Sequence, residues 1–258
     1  MKLKAKDQLL GNYGIAAGSF ALLFVIVYGV SVILMTSLSF GIMAGSPEEM
    51  LSLKMRLITQ VIGIALAAIS LLFFVGYLRI MKMIADGESP SVSELFFVFR
   101  NHPDKIIIIT LVVTGIQFIL LLPSMIAGSP ASGGEDMTAL DGKRFLLYIV
   151  LYLAGLIISY IIDLMLAMSF MIYLDDPDAS SVDIMRESIR MMKGSKFRYF
   201  FLTLSFIGYW LLIALSFGIA MFWVIPYQTM SMVEFYLDLR GDRDAEPYVS
   251  EAFYESGF

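Results

Sequence analysis

Residues 180–239 read SSVDIMRESIRMMKGSKFRYFFLTLSFIGYWLLIALSFGIAMFWVIPYQTMSMVEFYLDL, and how this stretch divides decides the fold. It opens as a short amphipathic, basic helix that breaks at Lys193-Gly194-Ser195. From Phe197 to Leu239 the chain is then predominantly apolar for 43 residues. One helix of that length would measure about 65 Å, roughly twice the hydrocarbon core of a bilayer. We divide the run near Ser216-Phe217-Gly218, which predicts spans at 198–216 and 219–239, with Pro226 kinking the second. A single long helix with a cytosolic extension is the competing reading.

The rest of the chain agrees with that setting. Of its 258 residues 59% are hydrophobic and 16% charged, against about 45–50% and about 25% in soluble domains. The excess lies in blocks almost free of charge, and in hydrocarbon the backbone must satisfy its own hydrogen bonds, so the blocks are helices. They lack the short alternating segments of a β-barrel. A net charge of −5 argues against a nucleic-acid partner. With no Cys and only His102, thiolate metal sites are excluded, a His-based metal or triad site is disfavoured, and no cofactor is expected. The basic start at Lys2, Lys4 and Lys6 resembles a signal peptide, but the apolar run from Ile15 to Met43 is too long for one.

Further spans are expected at 14–43, 57–80, 105–127 and 145–174. The last has 30 residues, about 45 Å of helix, so it must tilt or project. Ser91-Val92-Ser93-Glu94 and Ser180 with Asp183 have capping-box spacing, predicting interfacial helices over 91–100 and 181–193. In the second, Val182, Met185, Ile189 and Met192 form an apolar stripe suited to lying on a bilayer. Residues 128–144 read as a mobile link and 240–258 as a mobile acidic tail, leaving 1–239 as one transmembrane domain.

With six spans, 14 of the 18 Lys and Arg fall on the side of both termini, which places that side in the cytoplasm. Ser91-Val92 and Ser181-Val182 lie 90 residues apart. This spacing admits three repeated units, each an interfacial helix plus a hairpin, or merely repeated capping chemistry.

The third unit resembles a family of bacterial integral membrane proteins catalogued as domain-of-unknown-function 975. The resemblance rests on Ser188, Met192-Lys193-Gly194, Lys196, Phe200, Leu202, Leu204-Ser205-Phe206-Ile207-Gly208, Gly218-Ile219, Pro226-Tyr227 and Phe235-Tyr236. Leu10-Gly11-Asn12-Tyr13 is similar to the family's N-terminal signature. The chain departs from the family pattern at Tyr209, where Trp is expected, and at Ala220, where Gly is. The family implies a location in the bacterial cytoplasmic membrane and no established activity. A looser likeness to membrane domains of glycerophosphodiester phosphodiesterases points to lipid-proximal work by analogy alone.

Asp163 is the most informative residue. It lies deep in the fourth span, and intramembrane carboxylates are expensive and face the bundle interior. Gly155, Ser159, Asp163 and Ala167 make a small-residue stripe for close packing. Helix lengths put Arg79 and Asp163 at comparable depths, about 33 and 27 Å along their spans. Asp163 is therefore expected to bond Arg79, Tyr209 or Gln117, as a packing residue or as an ion or proton relay. Pro226-Tyr227-Gln228 either kinks its helix or lines a cavity. Arg186, Arg190, Lys193, Lys196 and Arg198 are candidates for anionic-lipid contact, or serve topology alone.

The expected protein is all-α: a polytopic membrane bundle of about six spans in three hairpins, with cytoplasmic interfacial helices. It is read as a non-enzymatic scaffold or accessory subunit, with lipid binding as a further role. Its expected partners are the bilayer, anionic head groups and another membrane protein or a second copy. The alternative is a small-molecule or ion permease with a polar site around Asp163.

Overall fold

The computed structural model describes residues 1–44, 53–127 and 142–241, and every regular element in them is helical. Most of the expected link, 128–141, and the tail from 242 lie outside the described residues. A short helix α1 (Lys2–Leu9) precedes two long ones, α2 (Tyr13–Ala44) and α3 (Leu53–Ala85). A 3₁₀ turn (Val92–Phe96) runs into α4 (Phe97–Arg100), then the hairpin α5 (Pro103–Ala127) and α6 (Gly142–Leu166). α7 (Ser169–Asp175), α8 (Ser181–Met191), α9 (Lys196–Leu204), α10 (Ile207–Leu215) and α11 (Met221–Arg240) complete the chain.

Five segments are long and apolar enough to cross a membrane: Tyr13–Val32, Leu66–Ala85, Pro103–Ser124, Phe145–Asp175 and Lys196–Leu215. α11, expected as a sixth span, is not among them. Glu234, Asp238 and Arg240 crowd its final turns. Its surroundings explain why this is tolerated. α11 packs against α1, α2 and α3, and Val224, Met230, Val233, Phe235 and Tyr236 are buried there. Protein covers much of this helix, so it need not be apolar all round.

The core gathers where α3 and α11 run towards their C-termini and α1, α7 and α8 close over them. Tyr77, Leu78, Met81, Tyr173, Ile184 and Phe235 are fully buried there. Half of the Leu66–Ala85 segment is buried, against 11% of Pro103–Ser124 and 6% of Lys196–Leu215. Two arms, α5–α6 and α9–α10, therefore keep broad apolar surfaces outside the core.

The 43-residue run does divide at residues 216–220. Phe217 and Gly218 take positive φ angles of 50° and 90°. The Ser216 hydroxyl donates to the Ile213 carbonyl at 3.1 Å and accepts from the Ala220 amide at 2.9 Å. The two halves are less regular than expected. The fifth span breaks again between α9 and α10, and the 145–174 run breaks between α6 and α7.

Side chains remote in sequence cover both breaks. The Ser188 hydroxyl donates to the Met165 carbonyl at 3.0 Å and accepts from the Met168 amide at 3.2 Å. Lys2 Nζ donates to the Ser205 carbonyl at 2.9 Å and lies 4.0 Å from the Phe206 ring centroid. Burial there pushes the Lys2 ammonium below its usual pKa. Breaks in apolar segments expose backbone groups that lipid cannot satisfy, and these contacts satisfy part of them.

Two local expectations need correction. Ser180 caps α8, its hydroxyl accepting from the Asp183 amide at 3.2 Å. Ser91 makes no such cap: its hydroxyl meets Ser93, and Glu94 turns instead to Arg79. The segment that follows is a 3₁₀ turn and a single α-turn, unlike α8, so the two proposed counterparts fold differently. Phe96 and Phe99 pack on Phe73, and Glu94 reaches Arg79, about 18 and 9 Å along α3 from its Ala85 end. The segment thus lies along the flank of α3. In α8, Ser181, Ile184, Ser188 and Met192 are buried while Val182 and Ile189 are exposed. Val182 and Ile189 of the expected bilayer-facing stripe thus point away from the protein, while Met192 of that stripe packs into its core.

Candidate functional site

Asp163 lies one turn before that break. Its Oδ1 accepts from Gln117 Nε2 of α5 at 2.7 Å. The small-residue stripe explains how the two helices come so close. A Cβ on Gly155 would lie 3.1 Å from the Leu120 carbonyl oxygen, and Ser159 is buried one turn on. Of the three partners offered for Asp163, Gln117 is the one that bonds it. The ion pairs among the described residues do not include Asp163.

Asp163, expected to face the bundle interior, is instead exposed and opens into a groove of about 250 Å³ between α3, α5 and the α6–α7 break. Leu71, Val113 and Phe170 supply apolar wall, and Thr110, Thr114 and Ser169 supply hydroxyls. Thr110 donates to the Ile106 carbonyl of its own helix at 2.7 Å. The Ser169 hydroxyl is fully buried and has no hydrogen-bond partner. An intramembrane carboxylate and an unpaired hydroxyl thus share one cleft.

Arg79 stands elsewhere. It donates to Glu94 at 2.7 Å, with its guanidinium 3.6 Å from the Phe97 ring centroid. Its length along the helix gave no sign of the segment that brings Glu94 to it. Tyr209 also sits apart, against Phe206 and Tyr227 at ring distances of 5.5 and 5.7 Å. Gln228 does line a cavity, about 190 Å³, with Tyr199, Phe206 and Trp210, and its Oε1 is buried without a partner.

The basic residues do not form one uniform patch. Arg186 pairs with Asp183 at 3.0 Å, Arg190 with Glu187 at 2.8 Å and Arg198 with Asp238 at 2.6 Å. Lys193 is exposed and Lys196 half-buried. Among the described residues, no group of three or more His, Cys, Asp or Glu comes together as a metal site.

One polar centre had no local signal beyond a stop. Asp175 ends α7 and binds Lys82 of α3, Tyr236 of α11 and Arg240 of α11, the last at 2.5 Å. Three elements are tied at one carboxylate. Tyr173 adds a bond to the Asn101 carbonyl, and Lys105 donates to the Pro177 carbonyl at 2.7 Å.

Together these features define a helical, membrane-embedded protein with a carboxylate-bearing lateral groove. More particularly, residues 1–243 match the family described as "Protein of unknown function (DUF975)", and the chain belongs to that family. No curated protein and no solved structure matches it. The family description assigns no activity, so no residue role carries over from it.

Proposed function

We propose that this protein is a six-span scaffold or accessory subunit of the bacterial cytoplasmic membrane, non-enzymatic and with both termini in the cytoplasm. The reading rests on how packing is distributed. The centre formed by α2, α3 and α11 is filled by large side chains, Phe20, Tyr77, Leu78, Met230 and Phe235 among them. The two arms turn apolar surface outward, with Ile157 on α6 and Leu211 on α10 both well exposed. A filled centre with outward-facing arms suits lateral association more than passage through the middle. α11 supplies the return crossing, shielded by its neighbours, and α8 lies across the cytoplasmic end.

Photo-crosslinking tests this. p-Benzoylphenylalanine placed at Ile157 or Leu211 should give one discrete protein adduct in the native membrane, a defined partner or a second copy. Substituting Leu215→Arg, one turn on along the same exposed face, should abolish the Leu211 adduct. Lipid adducts alone at both positions would refute the proposal. One observation favours the permease reading: α6 breaks beside Asp163, and discontinuous helices form substrate and ion sites in transporters. Solute uptake into proteoliposomes that is lost in Asp163→Asn would establish it instead.

A further inference from the structure

We infer that the groove at Asp163 binds a small amphiphilic monocation, an ammonium group on a short apolar body, taken up sideways from the bilayer. Three observations converge. First, Asp163 lies inside a membrane-spanning segment, and its described hydrogen bond comes from the neutral amide of Gln117. A carboxylate there calls for a countercharge. Arg79, the cation expected to provide it, is engaged by Glu94. Second, the Ser169 hydroxyl lines the same groove, fully buried and without a partner. Buried hydroxyls are ordinarily hydrogen-bonded, and an ammonium N–H donor satisfies this one as an acceptor. Third, the remaining wall is largely apolar, built by Leu71, Ile109, Val113, Leu166 and Phe170. A bare inorganic ion would leave that wall unused.

Size narrows the class. The volume of about 250 Å³ is roughly eight times the 30 Å³ that a water occupies in the liquid. That suits a chain of about eight heavy atoms. The ammonium lies between Asp163 and Ser169, and the chain runs along Val113 and Phe170. This assignment goes beyond a scaffold role and needs only that the α5–α6 hairpin sits in the bilayer.

The probe is n-octylammonium, with n-octanol as the uncharged match, added to the full chain in maltoside detergent. Thermal melting is read against probe concentration. The wild type should show a saturable rise in Tm with octylammonium and none with octanol. A hydrogen bond to a charged group contributes about 1.5–3 kcal/mol, so Asp163→Asn should weaken the apparent affinity about tenfold or more. Ser169→Ala should weaken it by a smaller factor. Should Asp163→Asn fail to fold, Thr114→Leu decides: it fills the groove from an exposed position and should abolish the shift. The inference is overturned if octanol matches octylammonium, if no saturable shift occurs, if the apparent affinity is unchanged in Asp163→Asn, or if the shift survives in Thr114→Leu. A blocked groove in a protein that still forms its crosslinked partner complex would separate this inference from the scaffold reading.

Discussion

Gly76 has no room for a side chain. A Cβ there would lie 2.2 Å from the Leu95 carbonyl oxygen, where the 3₁₀ turn crosses α3. Backbone cannot swing aside as a flexible side chain can, so Gly76→Ala should force the turn away from α3. Overpacking of this kind costs about 1–3 kcal/mol. Gly115 is the control, because nothing lies within 4 Å of its Cβ position. Gly115→Ala should be neutral or stabilise by about 0.5–1 kcal/mol, since Ala loses less freedom in a helix. Thermal melting of the two variants in the same detergent gives the comparison; equal melting temperatures would contradict the close approach. Asp175 provides the second test at this scale. Asp175→Asn weakens charge-assisted bonds to Lys82, Tyr236 and Arg240 together. Each such bond contributes about 1.5–3 kcal/mol when desolvated, less here because the carboxylate is partly exposed, so a loss of about 2 kcal/mol is expected. Tyr236→Phe should cost about half as much. Asp163 was legible in the sequence because a carboxylate inside an apolar run is costly wherever it lies. Its partner was not, because depth along a helix narrows the candidates without fixing which face each one takes. Asp175 looked like a stop signal for the same reason: its partners lie 61 to 93 residues away and leave no trace in the local pattern.

Two of the apolar segments in this chain are interrupted within their length, and the covering groups come from neighbouring elements. Ser188 shows the logic. Its hydroxyl serves the Met165 carbonyl and the Met168 amide at once, and Met168 is fully buried. Ser188→Ala would leave that amide without an acceptor, a cost of about 1–3 kcal/mol. Hydrogen exchange should then accelerate at the α6–α7 junction while α2 and α11 stay protected; uniform acceleration would contradict a local role. Ser180→Ala removes the α8 cap and should cost about 1 kcal/mol, confined to α8. The cap was readable because its donor and acceptor lie three residues apart. The two breaks were not, because Ala167-Met168 and Ser205-Phe206 carry no Gly or Pro. The helix stops there through contacts with Ser188 and Lys2 that sequence proximity cannot reveal. The charge pattern of α8 makes its own prediction. Arg186 and Arg190 face acidic neighbours on their own helix, while Lys193 stands exposed. Anionic head groups add roughly 1 kcal/mol per basic residue near the surface. Replacing Lys193 and Lys196 by Gln should therefore reduce co-purified anionic lipid more than replacing Arg186 and Arg190. Equal losses, measured by mass spectrometry of the detergent-released protein, would oppose that division of labour.

Across the whole molecule, packing is dense at one end and sparse along the arms, and this asymmetry bears on the crossing of residues 198–239. α9 and α10 together cover the 20 residues from Lys196 to Leu215, about 30 Å of helix and enough for one crossing. α11 has 20 residues and ends beside the start of α9, where Arg198 pairs with Asp238. The hairpin therefore begins and ends at one level, with the Phe217 turn at its far tip. α11, expected as a span from the apolar run, is not among the segments apolar enough to cross, and its buried face meets α1, α2 and α3. The chain has no Cys, so single substitutions give unambiguous labels without removing native thiols. Lys6 is exposed near the N-terminus, Arg190 is exposed on α8, and Phe217 is 98% exposed at the turn. In intact cells, a membrane-impermeant maleimide should label Phe217→Cys and leave Lys6→Cys and Arg190→Cys untouched until the membrane is opened. If Phe217→Cys also stays protected until lysis, the hairpin turns back without crossing. A fifth crossing without a return would also label Phe217→Cys, but it would need α11 to extend along the surface, which its burial against α2 and α3 opposes.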